Sequence, residues 1–391
     1  MIGYTVGDRL TITLSGRIDS NNAVECGDEI MKAIAEHPSI PVTVDCDGLN
    51  YISSAGLRNL MKLKKAVSDT VLTNVQPQVY DILETTGFTE LMEVRKQLRT
   101  ISVEGCQVIG KGANGTVYRI DKETIVKTFR PGSDISAIDR ERKLARTAFV
   151  MGIPTAISYD VVKIEGGGFG SVYELLDASN LAKELNSGRK TIDEIVAMEV
   201  DLLKTIHATE ANPEQIPPFR DKAALWLDFD KDHLPADKYG KLCRLVDEIP
   251  RTNQMIHGDF HLKNIMYQNG ECFLIDMDSL SHGNPVFEFA TMWCTYVGLG
   301  EVDPEVVYGF LDIPFDKAIK IWRTTLERYF DTTDEDTIRE IEDKARLLGY
   351  ARIIRRCVRK NRIATDIGKK EYDNAVSSIC ELIDRVDSLA I

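Results

Sequence analysis

Hydrophobic and polar positions change period several times in the first hundred residues. Apolar-rich stretches at 5–6 and 10–14 flank Gly7-Asp8, which predicts a hairpin turn. After Asp19-Ser20 a helical period carries Val24, Ile30, Met31, Ile34 and Ala35 on one side. Val42-Thr43-Val44 predicts a short buried strand, and Ser53-Ser54 precede a helix with Leu57, Leu60, Met61 and Val67. Residues 71–75 read as another strand, and Pro77 suits the first turn of a further helix. The sum is a small α/β domain over residues 1–103.

Near 104 the pattern turns to strands: 108–111, 116–120 and 124–129 have little helix between them. Residues 134–151 predict a charged helix. Strand patterns at 155–164 and 170–175 follow, separated by the turn Glu165-Gly166-Gly167-Gly168. From Leu181 onward the chain reads as mainly helical, with 191–208 the clearest case. A second domain is therefore expected over 104–391. It has a β-rich part at 104–176 and a helical part at 177–391. The 391-residue length also suits two or more domains.

Composition narrows the class. The chain is 43% hydrophobic and 28% charged, with a net charge of −13. Its first hundred residues hold 10 basic against 13 acidic side chains, so the excess is not confined to one domain. That balance argues against nucleic acid or an anionic membrane surface as a general partner. Eight cysteines show no C-x-x-C pair, which predicts reduced, mostly buried thiols. No basic-then-apolar leader and no membrane-length apolar run is seen, so a cytoplasmic location is expected.

Three segments carry chemistry. Gly110, Gly112 and Gly115 form G-x-G-x-x-G, followed by a strand pattern rather than a helix. A strand–turn–strand of this kind lets backbone amides approach phosphates without a Cβ in the way. Lys127 stands in the apolar strand Ile125-Val126-Lys127-Thr128-Phe129. A buried ammonium needs a partner, which ATP phosphates and a helix carboxylate would supply. Glu141 is the first candidate for that carboxylate, with Asp139 and Glu123 as competitors. The third segment is His257-Gly258-Asp259-Phe260-His261-Leu262-Lys263-Asn264, followed by Ile275-Asp276-Met277-Asp278. Phosphoryl transfer needs one carboxylate on the attacking hydroxyl, and an amide oxygen and a carboxylate to hold Mg²⁺. Asp259, Asn264 and Asp276 match by type and order, and Asp278 offers a second metal contact.

With these residues in view, 105 to about 360 resembles the aminoglycoside phosphotransferase/choline kinase branch of the protein-kinase-like superfamily. That branch carries H-G-D-x-H-x-x-N and I-D-x-[DE]. The resemblance implies a bilobal fold with Asp259 as catalytic base and Asn264 and Asp276 as metal ligands. It also implies Lys127 on the phosphates, and an adenine hinge near Glu174-Leu175-Leu176, where backbone groups would hold the base. Leu203-Lys204-Thr205-Ile206-His207 resembles the branch's helix ending L-x-x-L-H, and His207 is read as structural. Glu288 stands where the branch usually has Asp.

Residues 44–57 resemble the STAS domain of anti-sigma factor antagonists, which has D-S-[ST]-G-L at a helix start. Aligned on Gly56-Leu57, Ser53 takes the Asp position and Ser54 the phospho-acceptor position. A phosphate there would sit on a helix N-terminus; the plainer alternative is an N-cap. The fold class implied is multidomain: an α/β STAS-like domain, then a protein-kinase-like domain with a β-rich N-lobe and a helical C-lobe.

Arg352, Arg355, Arg356, Arg359, Lys360 and Arg362 form a basic run on a predicted helix. It reads as a face pairing with the acidic domain, as a patch for an anionic substrate group, or as a nucleic-acid contact. The stripe argues against a polycationic acceptor. Three functions stay open. One is an ATP- and Mg²⁺-dependent phosphotransferase acting on a small-molecule hydroxyl. Another is a serine protein kinase acting on Ser54 or a related protein. The third is a nucleotide-sensing regulatory protein whose STAS-like domain recruits a protein partner.

Overall fold

The computed structural model describes residues 2–111, 115–130, 132–176 and 178–391. The chain divides into two compact units: 1–103 with 161–167, and 104–160 with 168–391.

The first unit is a five-stranded sheet with helical crossovers. Strands β1 (Ile2–Val6), β2 (Leu10–Ile18), β3 (Val42–Ile52), β4 (Thr70–Val75) and β5 (Glu93–Lys96) lie in the order β1-β2-β3-β4-β5. Only β1–β2 is antiparallel; it is the hairpin expected around Gly7-Asp8. Parallel pairs need crossovers. Here α1 (Ala23–Glu36), α2 (Ser54–Ala66), α3 (Pro77–Thr85) and the single turn α4 (Phe88–Leu91) supply them. Leu10, Ile12, Leu14, Val42, Val44 and Leu72 fill the core from alternate strand positions.

Two expectations need correction here. Helix α1 starts at Ala23, because Asn22 and Asp19 close a local turn: Asn22 Oδ1 accepts from Asp19 N–H. Its buried face is Ala23, Cys26, Gly27, Ile30 and Ala33, while Val24 and Met31 face solvent. Gly27 sets that face, since a Cβ there would lie 2.6 Å from Asn59 Oδ1 on α2. Strand β3 runs to Ile52, well beyond the three residues expected, and delivers the chain directly to Ser53.

Strand β6 (Thr100–Ile101) pairs in parallel with β10 (Asp160–Ile164), which is why 161–167 group with the first unit. In the second unit β7 (Gln107–Lys111), β8 (Gly115–Arg119), β9 (Thr124–Phe129) and β11 (Phe169–Glu174) form antiparallel neighbours in the order β11-β9-β8-β7. Helix α5 (Ile135–Val150) begins at an Asp134 cap, as the charged pattern predicts. The strand expected over 155–164 is present only as β10. Residues 154–156 instead bind Leu274: Leu274 N–H donates to Pro154 O, and Ala156 N–H to Leu274 O, both at 2.9 Å.

The rest is helical, built by α6 (Leu181–Asn186), α7 (Ile192–Ala208), α8 (Phe219–Asp230), α9 (Ala236–Asp247), α10 (Val286–Tyr296), α11 (Pro304–Leu311), α12 (Phe315–Phe330), α13 (Glu335–Arg359) and α14 (Asp366–Leu382). Thr191 and Glu194 close a capping box on α7. Every residue of α10 is buried, so it is the central post of this part. Helix α13 packs on α10 and α8. Gly349 permits that approach: a Cβ there would lie 2.3 Å from Trp293 Cε3.

Short strands carry the chemistry. Two small sheets, β12 (Ser179–Asn180) with β14 (Ile265–Gln268) and β15 (Glu271–Leu274), and β13 (Met255–Ile256) with β16 (Ser281–His282), sit among the helices. The loop 257–264 spans β13 to β14, and Asp276 follows β15 by two residues.

Candidate active site

Lys127 points from β9 into a largely buried position. Its Nζ bonds Glu141 Oε1 on α5 at 3.1 Å and also bonds Asp276 Oδ1. Burial would lower its pKa, but the Asp276 and Glu141 carboxylates more than reverse that and hold it above the ordinary value. The structure thus selects Glu141 over Asp139 and Glu123 as the helix carboxylate on this lysine.

Asp259 lies in the loop between β13 and β14. Asn264 Nδ2 donates to its backbone O at 2.9 Å, which ties the loop's two polar residues together. Its carboxylate faces His261 Nε2 and Arg352, each at 3.6 Å. Burial raises its pKa, but the hydrogen bond and charge of His261, then Arg352 and His257, hold it well below the usual carboxylate range. It is therefore ionised at neutral pH.

The loop is held by backbone contacts. His257 Nδ1 accepts from Asp259 N–H at 3.3 Å, and its Nε2 faces Ile275 O at 3.2 Å, so the proton belongs on Nε2. Glu288, fully buried on α10, accepts from His257 N–H (2.6 Å) and Gly258 N–H (2.9 Å). Glu288 thus ties the start of the loop to α10. Gly258 has φ +81°, and a Cβ would meet Ser279 O at 2.6 Å, so no other residue fits. A second tie runs from Leu262 N–H to Tyr296 OH (3.1 Å), which donates to Glu199 Oε1 (3.0 Å).

Asn264, Asp276 and Asp278 suit a hard cation: one amide oxygen and two carboxylates. With Nδ2 spent on Asp259 O, Asn264 Oδ1 is the atom left to ligate. Asp276 holds the left-handed conformation at φ +60°, a strained position common at functional sites. Burial, then the Asp276 charge, raises the Asp278 pKa, a repulsion that a bound cation would relieve. No cluster of three His, Cys, Asp or Glu side chains arranged for a metal is found among the described residues, so the fit rests on the amide oxygen joining two carboxylates.

Gly110 is the last but one residue of β7 and Gly115 opens β8, as strand–turn–strand requires; Gly112 lies outside the described residues. A Cβ at Gly115 would lie 1.7 Å from Thr128 O. Glu174 ends β11 and is exposed, Leu176 follows two residues on, and Leu175 N–H donates to Glu123 O at 2.6 Å. In the first unit Ser53, not Ser54, caps α2, through Gly56 N–H at 3.4 Å; Ser54 is exposed at the first helical position. His207 is buried against Tyr329 OH (2.8 Å) and stands 3.9 Å from Glu288, which agrees with a structural role.

Sequence reasoning missed Lys222, whose half-buried ammonium donates to Ser279 O at 2.7 Å and senses the charges of Asp278, Glu288 and Asp259. Nor did it place Arg352 at Asp259. All eight cysteines are free; four are buried and four half-buried.

A kinase-type phosphotransferase is the class that this fold and site define. The family profile described as "Phosphotransferase enzyme family" matches residues 105–319, and the STAS domain profile matches 4–101. The chain belongs to that phosphotransferase family and carries an N-terminal STAS domain. Comparison with curated proteins gives no match. Among solved structures it is similar to aminoglycoside phosphotransferase APH(4)-Ia, at 11% identity and TM-score 0.50, covering 72% of this chain and 93% of that one. A thermostable mutant of that enzyme, in ternary complex with AMP-PNP and hygromycin B, gives 11% identity and TM-score 0.50 over 73% and 95%. At such identity the likeness is one of fold. No described helix is long and apolar enough to cross a membrane.

Proposed function

We propose that this protein transfers the γ-phosphate of ATP to a hydroxyl of a small molecule, with Mg²⁺. The observation that carries this reading is Lys127 bonded to both Glu141 and Asp276, beside Asp259 and Asn264. Lys127 holds the α- and β-phosphates, positioned by Glu141. Gly110, Gly112 and Gly115 let the strand turn close over the phosphates, and backbone groups near Glu174 and Leu176 take the adenine. Asn264, Asp276 and Asp278 would hold the metal, which when bound offsets charge on the phosphates. Asp259 accepts a hydrogen bond from the acceptor hydroxyl and aims it at the γ-phosphorus. The new O–P bond forms as the bond to the β,γ-bridging oxygen breaks, ADP leaves, and the hydroxyl proton passes to Asp259. A carboxylate of such low basicity orients the hydroxyl early and takes the proton late. Acceptor-dependent ADP release across a metabolite library tests this; no release by any acceptor while ATP binds would reject it.

A second reading is favoured by the exposure of Ser54 on α2 while Ser53 does the capping. Here the kinase domain, as a serine protein kinase, phosphorylates Ser54 of this or a related STAS domain. Phosphopeptide mapping after incubation with Mg-ATP tests it, with Asp259→Asn as control. Equal label on Ser54 in the variant, or none in the wild type, would reject it. Such a phosphate would alter the surface through which the STAS domain meets a protein partner.

A further inference from the structure

Basic residues at the C-terminal end of α13 and just beyond it divide into two sets. Arg356 and Arg362 are satisfied by buried Glu371 on α14, with N–O distances of 2.7 to 3.0 Å. Arg355, Arg359 and Lys360 form no ion pair with a carboxylate among the described residues. Arg355 Nε is buried without a hydrogen-bond partner there. This is unexpected in a chain with 61 acidic side chains against 48 basic ones.

The unpaired set is also gathered. Burial, then the charges of Arg359 and Arg352, holds the Arg355 guanidinium below its ordinary value. Burial does the same to Lys360, together with the charges of Arg356, Arg359, Arg362 and Arg130 from the end of β9. Helix α8 braces two of the guanidinium groups: Arg352 Cζ lies 6.0 Å from the Trp226 ring centroid, and Arg355 Cζ 5.9 Å from that of Phe229. Such a cluster is self-repelling until an anion arrives. One end of it is anchored in the reaction site, since Arg352 is the arginine 3.6 Å from Asp259.

Position gives a length. Residues 352, 355 and 359 follow one helix face, so the stripe leaves Asp259 and extends roughly 10 Å along α13 at the usual rise.

We propose that Arg355, Arg359 and Lys360, continuing the line begun by Arg352, bind an anionic group of the acceptor. The substrate is then a hydroxyl compound bearing a phosphate or carboxylate about 5–10 Å from the reacting oxygen. This rests on the phosphotransferase reading and sharpens it: a polycationic aminoglycoside is the wrong charge for this stripe. Bidentate guanidinium pairing favours either anion.

The test is calorimetric titration of the full-length chain with inorganic phosphate after saturation with Mg-ADP. Phosphate binding is expected, weakened about tenfold or more by Arg355→Gln/Arg359→Gln. Exposed Arg359→Gln alone, which carries little folding risk, is expected to weaken it about threefold or more. Arg339→Gln, an exposed arginine at the other end of α13, should leave it unchanged. Glycerol 3-phosphate binding more tightly than glycerate assigns a phosphate; the reverse order assigns a carboxylate. No binding of any of the three overturns the proposal, as does equal phosphate affinity in the Arg359→Gln variant. A short oligonucleotide binding more than about a hundredfold tighter than phosphate through Arg355 and Arg359 would mark a nucleic-acid surface and also overturn it. Absence of Mg-ADP binding in the first step would instead count against the phosphotransferase reading, while the phosphate titration still reads the stripe.

Discussion

The start of helix α2 in the first unit and the loop 257–264 in the second were both marked by short motifs, yet they are built in opposite ways. At α2 the polar residues lie at the surface and rely on one local contact, Ser53 Oγ with Gly56 N–H. At 257–264 three amides and the Asp259 carbonyl are held by groups that are themselves buried: Glu288 on two amides, Tyr296 and Glu199 on a third, Asn264 on Asp259. Exposed Ser54, beside the cap, can gain a phosphate without breaking that contact. A buried network fixes geometry, and removing one member leaves others unsatisfied.

That contrast can be broken at several points. The largest effect is expected at Lys127→Met, which removes the ammonium shared by Glu141 and Asp276. Steady-state kinetics should show kcat/KM for ATP falling on the order of a hundredfold or more. Next is Glu288→Ala, which strands the His257 and Gly258 amides. Urea unfolding should show a loss of about 2–4 kcal/mol in the second unit. Glu288→Asp keeps the charge but is one methylene short, and should lose less.

A pH effect comes third. Asp230 at the end of α8 is buried, its oxygens have no hydrogen-bond partner among the described residues, and burial pushes its pKa up to about 8. A carboxyl raised above its unfolded value contributes most below that value, and the contribution is lost as pH rises through about 8. Wild-type stability should therefore fall relative to Asp230→Asn from about pH 4 to pH 8, read as the difference in Tm. Parallel curves would exclude it. The smallest effects belong to α2. Ser53→Ala should cost about 1 kcal/mol as a lost cap, and Ser54→Ala less than about 0.5 kcal/mol.

Legibility in the sequence followed the same division. Residues whose role follows from order along the chain were readable: Asp259, Asn264 and Asp276 lie within twenty residues, and Lys127 is conspicuous in an apolar strand. The Lys127–Glu141 pair was readable because a buried cation requires a partner. Glu199, Lys222 and the placement of Arg352 were not. Their function depends on which helix face meets the loop, and that is set by close approaches such as Gly349 on Trp293. Helix α1 shows the same limit, since its buried face was decided by Gly27 against Asn59 rather than by the largest apolar side chains.

The most direct measurement is transfer of labelled γ-phosphate from Mg-ATP to a library of hydroxyl acceptors, by the wild-type chain and by Asp259→Asn. The site described here predicts label in at least one acceptor with the wild type. It predicts a drop of about 10²–10⁴-fold in the variant, with ATP still bound. Transfer that survives in Asp259→Asn, or a wild type that binds ATP and labels no acceptor, would contradict it.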